Sequence, residues 1–124
     1  MKIVSTDQAP AAIGPYSQAI IHGGTVYCSG QISLTAEGEG PIGETVEEQT
    51  SQVMKNIKAV LEAAGSEMSK VVKTTIFLID MNDFAAVNKV YGEAFGDHRP
   101  ARSTVAVCAL PRGVKVEIEV LAAL

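Results

Sequence analysis

Apolar and polar residues alternate along this chain in two rhythms, one of period two and one near 3.6, and the switches between them outline its elements. Ala19 to His22 and Thr25 to Ser29 are β-prone runs separated by Gly23-Gly24, a pair able to supply the positive φ angles of a tight hairpin turn. Thr35 to Glu44, rich in Gly and Glu, reads as a loop. Val46, Val53, Met54, Ile57, Val60, Leu61 and Ala64 then recur at helical spacing. Thr45 stands where that helix needs a cap, Glu48 completes a capping box, and Gly65 is a natural stop. Lys70 to Ile79 carries apolar residues on both faces, the mark of a strand covered on two sides. Strict alternation puts Val71, Thr75, Phe77 and Ile79 on one face and Val72, Thr74, Ile76 and Leu78 on the other. A second helix is predicted from about Asn82 to Phe95, with Phe84, Val87, Asn88, Tyr91 and Phe95 on its inner face and Gly96 at its end. Two more strands, near Arg102 to Val107 and Val114 to Leu121, flank the turn Leu110-Pro111-Arg112-Gly113.

The order β-β-α-β-α-β-β predicts a single α+β domain over residues 1–124, with two helices packed on one face of a mixed β-sheet. Two helices cover only one face. The other is also apolar along 70–79, so it needs a partner, and a homo-oligomer is expected.

The last two strands hold the candidate chemistry. In the first, Ser103, Val105 and Val107 alternate with Arg102, Thr104 and Ala106. In the second, Val114, Val116, Ile118 and Val120 alternate with Lys115, Glu117, Glu119 and Leu121. With the apolar sets turned to the helices, Arg102, Thr104, Glu117 and Glu119 are expected together on the opposite face. An arginine and a carboxylate in a partly dry interface have two readings. One is an interface salt bridge, which the residues alone favour. The other is a small-molecule site, with Arg102 as a planar two-pronged donor to a carboxylate. A glutamate would then move protons, its pKa tuned by burial and charge. Period alone does not choose between Glu117 and Glu119.

Composition narrows the field. With 47% hydrophobic and 19% charged residues in 124, the chain can bury a core. A net charge of -4 argues against a phosphate-tracking nucleic-acid partner or a membrane surface. Cys28 and Cys108 both sit in apolar runs, match no metal or redox spacing, and are expected to be small buried hydrophobes. The N-terminus lacks the apolar stretch of a secretory signal, and no run nears the roughly 18 residues of a membrane span. A soluble cytoplasmic protein is expected.

Other signals carry less. Gly38-Glu39-Gly40-Pro41-Ile42-Gly43 fits G-x-G-x-x-G by letter, but its proline and flanking glutamates suit a flexible loop rather than a dinucleotide turn. His22 and His98 are separated and read as solvated, so no metal site is expected. Ile13-Gly14-Pro15-Tyr16-Ser17-Gln18 is either a structural turn with Tyr16 packed on the sheet or a ring that covers a pocket.

In order along the chain, Ala11-Ala12-Ile13-Gly14-Pro15-Tyr16-Ser17-Gln18-Ala19, Ser29-Gly30-Gln31-Ile32, Val72 to Phe77, Met81 to Asn88, Arg99-Pro100-Ala101-Arg102-Ser103-Thr104-Val105 and Val116-Glu117-Ile118-Glu119 resemble the reactive-intermediate deaminase (Rid, YjgF-like) family. The resemblance implies a chorismate-mutase-like fold and a homotrimer whose sheets form a central barrel, with three clefts between subunits. It implies that Arg102 binds a substrate carboxylate and that Glu117, rather than Glu119, positions the attacking water. Tyr16, Ser29, Gly30, Phe84 and Asn88 would line the cleft. Many relatives have cysteine where Thr104 stands, so only the backbone or the hydroxyl can contribute there. The implied reaction is hydrolysis of 2-imino and enamine carboxylates to 2-keto acids and ammonia, with no metal or organic cofactor. Two other uses of the clefts stay open. One is a non-catalytic regulatory trimer that binds small carboxylates. The other is an endoribonuclease or translation-inhibitor activity, against which the absence of a basic stripe counts.

Overall fold

The apolar stripes of both helices lie against one side of a single six-stranded sheet. The computed structural model describes all 124 residues. In chain order they form β1 (Lys2–Val4), β2 (Ala19–His22), β3 (Thr25–Cys28), α1 (Val46–Ala63), β4 (Val71–Leu78), α2 (Phe84–Phe95), β5 (Ala101–Ala106) and β6 (Val116–Ala123). The sheet runs β1-β2-β3-β6-β4-β5. Only β4 and β5 are parallel, and α2 is the crossover between them. No helix is long and apolar enough to cross a membrane.

The predicted hairpin is present, with Gly23 and Gly24 at φ +58 and +77. Thr45 caps α1 in a full capping box: its hydroxyl accepts from the Glu48 amide at 3.1 Å, and the Glu48 carboxylate accepts from the Thr45 amide. All seven residues of the predicted stripe are buried. The polar residues buried with them pin the neighbouring loops. Asn56 donates to the carbonyls of Ile32 and Leu34, and Gln49 donates to Gly43 and accepts from the Lys115 amide. The 35–44 loop is further tied down by Arg112, which donates to the Gly40 carbonyl at 2.8 Å. It is therefore an anchored loop rather than a free one.

The structure corrects five expectations. β1, paired with β2, was not anticipated; three residues are too few to show a period. In β4 a bulge between Val71 and Lys73 reverses the first turn of alternation. Val71 joins Thr74, Ile76 and Leu78 in the core, while Val72 is 53% exposed. In β5 the facing is inverted. The parallel register sets Arg102, Thr104 and Ala106 opposite Thr74, Ile76 and Leu78, so the Arg102 set faces the helices and Ser103 and Val105 face away. Cys28 is buried, and burial pushes its thiol up to about 12, but Cys108 is exposed. His98 is not solvated; its ring nitrogen meets the Val71 carbonyl at 2.6 Å.

The face of the sheet away from the helices stays uncovered in the single chain. Tyr27 and Val105 are exposed there, and Phe77 and Leu121 are half-buried.

Candidate functional site

The candidate residues fall into two groups on opposite sides of the sheet. In β6, Val116, Ile118 and Val120 fill the core, so Glu117 and Glu119 point to the uncovered side. Glu117 stands opposite Phe77 and Glu119 opposite Thr75. Beside them the chain leaving β3 runs along β6, and Gln31 exchanges both backbone hydrogen bonds with Ile118. The cleft so formed holds about 510 Å³ and is lined by Tyr16, Ser29, Gly30, Gln31, Glu117 and Glu119, among others.

Gly30 is what lets Glu117 lie in this cleft. A Cβ there would run into the Glu117 carboxylate. Burial raises the Glu117 pKa above the ordinary carboxylate range, and the negative Glu119 beside it raises it further. No cation pairs with it; the one ion pair in the chain is Lys58–Glu62 on the outer face of α1, at 4.0 Å. The carboxylate is thus held half-desolvated and unneutralised, the condition in which it takes a proton most readily. Ser29 donates its hydroxyl to the Ser17 carbonyl at 2.5 Å, so its oxygen remains as an acceptor. Tyr16 is 55% exposed and lines the cleft, which favours the covering ring over the turn packed on the sheet.

The second group surrounds Arg102 at the β5 edge, on the helix side. Arg102 Nη1 donates to Asn88 Oδ1 at 2.7 Å. Its guanidinium carbon lies 5.4 Å from the centre of the Phe84 ring and 5.2 Å from that of Tyr91. Both rings offer the cation their electron-rich faces. Thr104, two residues on, buries its hydroxyl with no hydrogen-bond partner. Arg102 is bound to no carboxylate, so the salt bridge with Glu117 or Glu119 does not form within the chain. The expectation that Arg102, Thr104, Glu117 and Glu119 share a face is overturned, and the β4–β5 register is the reason.

Sequence reasoning placed Tyr91 on the inner face of α2 but missed its contact with Arg102. The spacing Phe84, Asn88, Tyr91 was the available signal, since i, i+4 and i+7 share one side of a helix. No three His, Cys, Asp or Glu side chains converge as a metal site would require. A second groove of about 350 Å³, between α1 and α2, is lined by Met54, Met68 and Val90 and contains none of the candidate residues.

Residues 6–124 match the family described as endoribonuclease L-PSP. The chain is 50% identical over 123 residues to the chloroplastic Reactive Intermediate Deaminase A of Arabidopsis thaliana; the alignment covers 99% of this chain but 66% of that protein. It is 48% identical over 121 residues to the 2-iminobutanoate/2-iminopropanoate deaminase of Mus musculus, covering 98% of this chain and 90% of the mouse protein. The crystal structure of E. coli TdcF with bound serine superposes with a TM-score of 0.94 at 42% identity, covering 100% of this chain and 99% of that chain.

Proposed function

Since the chain belongs to the endoribonuclease L-PSP family, which contains the reactive-intermediate deaminases, we propose that it is a 2-iminobutanoate/2-iminopropanoate deaminase whose active sites form between copies of the chain. The observation that carries the reading is the unpaired, half-buried Glu117 carboxylate, packed on Gly30 in an open cleft and raised in pKa. Such a group suits the transfer of a proton from water.

The carboxylate grip and the proton carrier lie on opposite sides of one chain, so one copy alone does not bring them to a common substrate. A neighbouring copy supplying Arg102 to the Glu117 cleft does. The uncovered apolar sheet face supports such an assembly, and three copies around a barrel account for both features.

In this site the Arg102 guanidinium holds the carboxylate of a short 2-imino acid. At about 4 Å a unit charge pair is worth a few kcal/mol at intermediate dielectric. The grip turns C2 toward a single water. Glu117 accepts a proton from that water as its oxygen bonds to C2 and returns it to the imine nitrogen, giving a neutral carbinolamine. The carbinolamine hydroxyl then gives its own proton to the nitrogen by way of Glu117, the C–N bond breaks as the C2–O double bond forms, and ammonia and the 2-keto acid leave. Enamines enter the same route after tautomerising to imines. Tyr16 covers the cleft. The hydroxyl oxygen of Ser29 and the backbone at Gly30 line its wall, and Phe84, Asn88 and Thr104 surround the arginine side. The proposed setting is the cytoplasm, where pyridoxal-phosphate dehydratases release such imines.

An RNA-cleaving function is less well supported. With 10 Lys and Arg against 14 Asp and Glu, the chain lacks the clustered positive charge that follows a phosphate backbone.

The test is complementation. Arg102→Ala and Glu117→Gln chains, each inactive alone, are mixed one to one, unfolded and reassembled. Imine is generated in place by a threonine dehydratase. If each site takes its arginine from one copy and its glutamate from the next, random assembly leaves about a quarter of the sites intact, and about a quarter of wild-type turnover returns. No recovery in fully exchanged assemblies refutes the shared site. Unaltered imine decay with wild-type protein refutes the enzyme.

A further inference from the structure

We propose that Tyr91, tied to Thr74, is the positioning residue that holds the Arg102 guanidinium ready for a carboxylate; this rests on the role given to Arg102 above. Arg102 is exposed on the outermost strand, where a long side chain would ordinarily sample many rotamers and lose that freedom on binding. It is instead held from three points along one side of α2. Phe84 and Tyr91 offer ring faces, and Asn88, between them, accepts one of the five guanidinium N–H groups.

Those three contacts are only as well placed as the helix that carries them. Tyr91 fixes the helix. Its hydroxyl and that of Thr74 share a 2.7 Å hydrogen bond, with Thr74 fully buried and Tyr91 nearly so. Thr74 is also the β4 residue directly opposite Arg102 in the parallel register. A single buried bond therefore locks α2 to the strand position beside the arginine. The Tyr91 ring is braced from behind by Phe95, with centroids 4.8 Å apart and planes at 56°. A polar pair in an otherwise apolar layer gives little net stability, because both hydroxyls must give up water. What it gives is a unique placement, since any slide of α2 leaves two hydroxyls unpaired.

The experiment compares full-length Tyr91→Phe, Thr74→Val and the double variant. Each is read by thermal unfolding, by the NMR exchange rate of the Arg102 Nε–H proton without ligand, and by KM, kcat and the Kd for 2-ketobutyrate. Each single change is expected to lower Tm, because it strands a buried hydroxyl. Each should also raise KM and Kd about fivefold, the worth of one net hydrogen bond. The loss falls on KM more than on kcat, because the carboxylate is gripped alike in ground and transition states. The double variant strands no hydroxyl, so its Tm recovers while its KM, its Kd and the faster Arg102 exchange do not. A double variant that recovers KM together with Tm overturns the proposal, since the pair would then serve stability alone. An Arg102 exchange rate unchanged in all three overturns it as well. If Arg102→Ala leaves the wild-type Kd unaltered, the catalytic reading fails instead, and the exchange rate still reports whether Tyr91 holds the guanidinium.

Discussion

Gly30→Ala separates the demands of folding from those of catalysis. The φ of Gly30 is not positive, so alanine can adopt its backbone conformation. An added Cβ would lie 3.0 Å from the Glu117 carboxyl carbon and 3.2 Å from its Cγ, and well inside contact with Oε1. Ordinary contact begins near 3.4 Å. The obstruction is the far end of a flexible side chain, with no backbone atom among the near contacts, so the fold can accommodate the methyl by swinging Glu117 aside. Lost unfolded-state freedom even favours alanine by about 0.4–1 kcal/mol. The catalytic cost is of another order. A displacement of about 1 Å in a positioned group can lower turnover about 100-fold, which corresponds to roughly 2.7 kcal/mol of transition-state stabilisation. The assay follows the disappearance of dehydratase-generated imine, alongside a thermal melt. The expected result is a kcat down by about two orders of magnitude with Tm within a few degrees of wild type. A kcat within threefold of wild type would refute the role of the Gly30–Glu117 contact. A collapsed Tm would show that the methyl disturbs the fold rather than the carboxylate tip.

Other consequences are as direct. Glu117 must be ionised to accept a proton and its folded pKa is raised, so activity falls as pH drops through that raised value; Glu119→Gln removes the second cause and moves the acid limb of the kcat/KM profile to lower pH, whereas an unmoved limb would detach Glu119 from the titration. The same upward shift means that the Glu117 contribution to stability is fully present below its unfolded pKa and is lost as pH rises through its folded one, so urea titrations at neutral pH should find Glu117→Gln more stable than wild type although inactive. Thr104→Val removes a buried hydroxyl without a partner at nearly constant volume and should add about 1 kcal/mol to the unfolding free energy; a loss of stability would reveal an unseen partner. Arg102→Lys keeps the charge but not the planar fork, and steady-state kinetics should show it severely impaired; wild-type kcat/KM there would contradict a two-pronged grip.

Much of the fold was legible because its strongest signals were redundant. Helix α1 was marked by a cap, a box, a seven-residue stripe and a terminal glycine that all agree, and β6 by the buried Val116, Ile118 and Val120 alternating with Glu117 and Glu119. What escaped reading lacked such contrast. Val71 and Val72 are chemically identical, so nothing in the sequence announces which one the bulge turns inward. Strand β5 reads Ala-Arg-Ser-Thr-Val-Ala, with no face clearly apolar, and its orientation is imposed by pairing with β4 rather than by its own side chains. The site was legible as a set of residue types but not as a geometry. Arg102 and Glu117 were singled out as candidates on one face, and the shared face does not form, because that inference passed through β5. The fit of Gly30 under Glu117 leaves no mark in the sequence, for it depends on two segments far apart in the chain meeting edge to edge.

The back-to-back placement of Arg102 and Glu117 has a consequence for the newborn polypeptide. In the shared site proposed above, a lone copy, however well folded, would own two unfinished halves and no complete reaction centre, and would stay chemically silent until it met its siblings. Output per molecule would then depend on abundance: scarce chains would idle, and dilution alone would switch the chemistry off without any inhibitor. On that arrangement the proportions of the crowd, as much as the fold of the individual, would decide whether the reaction runs.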